Sequence, residues 1–185
     1  MRAGPCAGTR VAVVGLGNPD RGDDAVGPAV AGRVAAQRLP GVEVLQQEDP
    51  TSLIQWWGEK DLVVVVDAVR SNRAPGTVRI TEAGAGRGPL TNNAWAGTGR
   101  GGTHAFGLAA AVELSRALGR LPGRLVLVGV EAAGLDGRVL SPAVQDSMDR
   151  VVGAVCRIVT RIGAPERCPA RRAGPPPDDV REVES

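Results

Sequence analysis

The chain has 185 residues, 43% of them hydrophobic, and a formal net charge of +2 at neutral pH. That length suits one domain with a real core, and so small a charge gives no sign of a nucleic-acid or anionic-membrane binder. The aromatic residues are Trp56, Trp57, Trp95 and Phe106, too few for base stacking.

Cys6, Cys156 and Cys168 are odd in number and far apart, which fits neither a disulfide framework nor a zinc ribbon. A reduced, cytoplasmic setting is expected. No apolar stretch follows Arg2, and no run nears the roughly 20 residues of a membrane helix. Neither a secretory signal nor a membrane span is expected.

Residues 10–15 read as a buried strand. Residues 25–38 carry Val26, Val30 and Val34 at helical spacing, up to a Pro40-Gly41 stop. Residues 42–47 predict a second strand and 51–57 a short helix. Within 61–69, Leu62-Val63-Val64-Val65-Val66 is a β-branched run suited to a central strand buried on both faces. That strand is expected to stop at Asp67. Residues 77–81 form a further strand after a Pro75-Gly76 turn, and the glycine-rich residues 82–102 read as a long surface loop.

Residues 103–118 predict a helix with Leu108, Val112 and Ser115 on one face, and 124–130 another buried strand. Ser141-Pro142 is a helix start, a capping hydroxyl followed by proline in the first turn. That helix is expected to reach about residue 162, with Val144, Met148, Val151, Val155 and Ile158 inward. From Ala164 the composition is proline, arginine and acid with little apolar content. Residues 1–163 are therefore expected to form a single α/β domain and 164–185 a disordered tail. Alternating strands and helices predict a three-layer α/β/α sandwich around a twisted, mostly parallel five-stranded sheet.

In such folds, sites form beyond the carboxyl ends of the strands. Three polar residues fall there: Asp24 after the first strand, Asp67 at the end of the central one, and His104, the only histidine, at a helix entrance. Each has a plainer reading. Asp23 or Asp24 suits a helix cap, although Pro28 favours a start nearer Gly27, which leaves both carboxylates free in the turn. Asp67 equally suits a partner for loop N–H groups or for Arg70. His104 alone is an ordinary helix-entry residue, but the helix dipole there favours the neutral imidazole that a metal needs. Together the three make an oxygen-and-nitrogen set suited to zinc, nickel or a similar divalent ion.

Other chemistries lack their motifs. No Gly-x-Ser-x-Gly elbow or Gly-Lys-Ser/Thr phosphate loop is present, and Asp20 stands where a dinucleotide fingerprint needs its third glycine.

The blocks Gly15-Leu16-Gly17-Asn18 with Gly22-Asp23-Asp24-Ala25-Val26-Gly27, the apolar run before Asp67, Thr103-His104-Ala105-Phe106-Gly107-Leu108, and Leu140-Ser141-Pro142-Ala143-Val144 resemble the hydrogenase maturation endopeptidases. The resemblance spans roughly residues 11–162. It implies a protease that removes the C-terminal extension of a nickel–iron hydrogenase large-subunit precursor after metal insertion. The implied metal-binding and catalytic residues are Asp24, Asp67 and His104. The implied metal is nickel carried by the substrate, with another divalent ion such as zinc as an alternative occupant in the isolated protein. Pro19-Asp20-Arg21 and Gly101-Gly102-Thr103 depart from the family's usual residues.

Two rivals are set beside this reading. A non-enzymatic nickel-handling or assembly protein would use the same three ligands. Peptidyl-tRNA hydrolase shares a turn like Gly15-Leu16-Gly17-Asn18-Pro19, but its histidine follows that turn closely, whereas His104 lies far downstream.

Overall fold

A computed structural model of the chain describes residues 9–90 and 107–162. Five strands form one sheet: β1 (Val11–Leu16), β2 (Val42–Gln47), β3 (Leu62–Val69), β4 (Val78–Glu82) and β5 (Arg124–Glu131), in the order β2-β1-β3-β5-β4. All pairings are parallel except β4 with β5, so the three-layer, mostly parallel α/β architecture is as expected. The helices are α1 (Val26–Ala36), α2 (Leu108–Ala117) and α3 (Pro142–Ile162). Among the described residues no helix is long and apolar enough to cross a membrane.

Strand alternation divides the interior into two cores. Leu62, Val64, Val66 and Ala68 pack with Val26, Val30 and Val34 of α1 and with Val144, Val151 and Val155 of α3. Val63, Val65 and Val69 face the other way, onto Leu53, Trp57, Leu108 and Val112. Trp57 is wholly buried and its Nε1 donates to the buried Ser115 Oγ at 3.1 Å, which satisfies the indole N–H. The paired tryptophans therefore divide: Trp57 is core, while Trp56 is half-buried under Lys60, whose Nζ lies 4.7 Å from the ring centroid.

Two expectations are corrected. β3 does not stop at Asp67 but runs on to Val69, with Asp67 paired to Gly129 of β5. The helix expected over 51–57 is two 3-10 segments, Pro50–Gln55 and Trp57–Glu59, the first capped by Asp49, which accepts from the Thr51 N–H. The start of the helix expected at 103, the loop over 91–102 and the tail from 164 lie outside the described residues.

The chain leaves β1 through α1 on one face and returns from β2 through the 3-10 segments on the other, so strand order reverses between β1 and β3. Such a switch point opens a crevice beyond the strand ends. Backbone contact seals it from behind. A Cβ on Gly27 would lie 2.2 Å from the Leu16 carbonyl oxygen and 2.6 Å from that of Val66. Alanine in a helix is ordinarily up to about 1 kcal/mol better than glycine. At this position the clash is with backbone that cannot yield, so Gly27→Ala is expected to lose roughly 2 kcal/mol net in urea denaturation. A net gain would show that α1 is not held against β1 and β3.

Candidate active site

β1 ends in a glycine turn. Gly17 takes φ +127°, and a Cβ there would lie 2.1 Å from the Asp24 carbonyl oxygen, so only glycine lets the following 3-10 turn, Gly22–Ala25, fold back over the strand end. α1 begins at Val26, with Pro28 in its first turn, close to the start that the proline favoured. The Asn18 N–H donates to Asp24 Oδ2 at 3.0 Å, and the Asp24 N–H donates to the Arg21 carbonyl at 2.9 Å. Asn18 also accepts from the Asp20 N–H and donates to Glu48, so it ties together the turn that holds Asp24. Asp24 itself is half-buried.

Asp67 reaches the same crevice from β3. By alternation it lies on the α2 side of the sheet, and it is 3% exposed. Arg70 is exposed and does not neutralise it; Asp67 Oδ2 is buried with no hydrogen-bond partner among the described residues. Burial, and then the charge of nearby Asp24, push the Asp67 carboxyl well above the usual carboxylate range, against a smaller lowering by the Ala68 N–H. Two carboxylates so placed favour either a shared proton or a divalent cation between them. The Oδ2 is an observation that fits a metal: it is a ligand atom that no donor among the described residues satisfies.

Asp23, expected to be as free as Asp24, is not. It is 1% exposed and accepts four hydrogen bonds: from the Ala133 N–H (2.7 Å), the Gly134 N–H (3.3 Å), the Ser141 N–H (2.6 Å) and the Ser141 hydroxyl (2.8 Å). Glu131, also buried, accepts from the Ser71 N–H and hydroxyl and from the Arg73 N–H, ordering the loop that follows Asp67. Their partners lie 58 or more positions away, so neither role leaves a local sequence signal.

The structure thus brings Asp24 and Asp67 together. His104 lies outside the described residues, and among those described no three His, Cys, Asp or Glu side chains form a metal-binding group. An open cleft of about 430 Å³ borders the Asp24 turn on the β2 side, lined by Gly17, Pro19, Gln46, Gln47 and Glu48 among others.

A family model described as "HycI: Hydrogenase maturation protease" matches residues 48–158. Among solved structures, the chain is similar to the hydrogenase maturating endopeptidase HybD from Escherichia coli, with a TM-score of 0.66 and 25% identity over 83% of this chain and 93% of that one. It is also similar to a NiFe hydrogenase maturation protease, HycI from Thermococcus kodakarensis KOD1, with a TM-score of 0.59 and 25% identity over 82% and 93% of the two chains. A comparison with curated proteins gives no match.

Proposed function

This chain belongs to the hydrogenase maturation protease family and is an endopeptidase, and on that premise we propose that it removes the C-terminal extension of a nickel–iron hydrogenase large-subunit precursor once nickel has been inserted. In this reading the nickel is part of the substrate, and Asp24, Asp67 and His104 recognise it. The observation that carries the reading is the buried Oδ2 of Asp67, unpartnered among the described residues, beside Asp24 at the topological switch point.

The chemistry follows from that arrangement. Two carboxylates pushed against each other gain most from a cation placed between them, so an empty precursor offers little to bind and a nickel-loaded one a great deal. Holding the precursor's metal also holds the peptide bond next to it, which turns an encounter into a positioned reaction. Hydrolysis without a serine or cysteine nucleophile needs an activated water or a polarised carbonyl; a metal would supply either, and a carboxylate can activate the water as general base. The cleft beside Gly17 and Gln47 provides room for the chain flanking the scissile bond.

Incubating the full-length protein with nickel-loaded precursor should lower the precursor's mass by that of the extension, while metal-free precursor stays intact. A nickel-loaded precursor of unchanged mass would favour a nickel-handling role instead. Equal cleavage of both forms would remove nickel from the recognition step.

A further inference from the structure

We propose that Asp23 is a positioning residue for this reaction: its buried carboxylate clasps the loop over residues 132–141 and so fixes Asp24 relative to Asp67. The proposal rests on the reading of Asp24 and Asp67 as nickel-recognising residues.

A buried carboxylate is costly unless its oxygens are satisfied. Asp23 is 1% exposed, and its donors come from both ends of one loop, Ala133 and Gly134 at the start and Ser141 at the finish. The contact is reciprocal, because the Gly22 N–H donates to the Gly137 carbonyl at 2.9 Å and the Asp23 N–H to the Gly134 carbonyl at 3.2 Å. The 3-10 turn bearing Asp24 is therefore held by side chain and backbone at once.

The loop is not a free partner. It leaves β5 at Glu131, and the Ala132 N–H donates to the Val69 carbonyl at 2.9 Å. Val69 ends β3, two residues beyond Asp67. A continuous path thus runs from Asp24 through Asp23 and the loop to the strand carrying Asp67. It links two residues that come from separate segments of the chain. Side chains that orient metal-binding groups in this way matter to binding nearly as much as the groups themselves.

The test uses the full-length protein with Asp23→Asn, Ser141→Ala, Ser141→Thr and Asp24→Asn. Nickel(II) chloride alone is titrated to give Kd, nickel-loaded precursor is used for kcat, and thermal unfolding confirms that each variant is folded at the assay temperature. Asp23→Asn puts an amide N–H₂ where only acceptors fit and should weaken nickel binding and lower kcat by about 10-fold or more. Ser141→Ala removes one donor and should cost about 3- to 10-fold in both, with Ser141→Thr restoring them.

A role in stability alone predicts folded variants with wild-type Kd and kcat, and that result overturns the proposal. Should Asp23→Asn fail to fold, the two Ser141 variants decide the matter. Loss of activity in Asp24→Asn with unaffected Asp23 and Ser141 variants overturns only the positioning role. Wild-type nickel affinity and cleavage in Asp24→Asn overturn the underlying reading as well.

Discussion

Asp24→Asn is expected to reduce cleavage of nickel-loaded precursor by at least about 100-fold while leaving the fold intact. Asparagine keeps a side-chain oxygen for the Asn18 N–H, so the turn over β1 retains its shape. What disappears is the negative charge that a divalent ion needs. The same substitution removes the second of the influences that raise the Asp67 carboxyl, so that carboxyl should titrate at lower pH in the variant, still raised by burial. Mass analysis of the precursor measures the first effect, and NMR titration of the Asp67 side chain measures the second. His104→Ala should abolish processing in the same way, with a near-native circular dichroism spectrum. Normal cleavage by either variant would remove that residue from the site.

The fold was legible in the sequence for a simple physical reason. Apolar periodicity reports which face of an element is buried. The valine run of β3 and the Val26, Val30, Val34 stripe of α1 announce a covered parallel sheet, and the family resemblance fell on its strand ends. The misplaced end of β3 shows where the signal stops. A polar residue in an apolar run reads as a terminus, but Asp67 is a mid-ladder residue paired with Gly129, and its polarity marks the crevice. Similarly, 51–57 carries too few residues for its period to separate an α-helix from 3-10 turns.

The Asp23-Asp24 pair was the least legible part. In sequence the two are adjacent and chemically identical, yet one is locked to a loop about 110 positions downstream and the other is left facing Asp67. Only long-range hydrogen bonding distinguishes them. Glu131 is hidden in the same way: it reads as the last residue of a strand, while its carboxylate orders Ser71 and Arg73 on a neighbouring loop. Both buried acids lie at the rim that carries Asp24 and Asp67. The crevice therefore sets the carboxylates of Asp24 and Asp67 between two buried acids that are hydrogen-bonded to its loops.

Asp67→Asn is expected to make the metal-free protein more stable at neutral pH and unable to process precursor. Asp67 is buried with an oxygen that no donor among the described residues satisfies, and its carboxyl is held well above the range of an unfolded aspartate. Between the ordinary aspartate pKa, about 3.9, and the raised native value, the folded protein keeps a proton that the unfolded chain has released. Stability attributable to Asp67 therefore falls as pH rises through that window and levels off above it. Asparagine carries no such proton, so its advantage should be absent near pH 4 and grow toward neutrality. A gain on the order of 1 kcal/mol, the size typical when a strained functional group is neutralised, would raise Tm by about 2–4 °C in a chain of this length. Thermal melts of both proteins between pH 4 and 8 measure the trend. A difference that does not change with pH, or a less stable variant at neutral pH, would show that Asp67 is satisfied by something other than a proton. Added nickel(II) should then separate stability from function: it should raise the Tm of the wild type, by binding only the folded state, and leave that of Asp67→Asn nearly unmoved. The site is expected to be destabilising until it meets its cation, as the proposed discrimination between a loaded and an empty precursor requires.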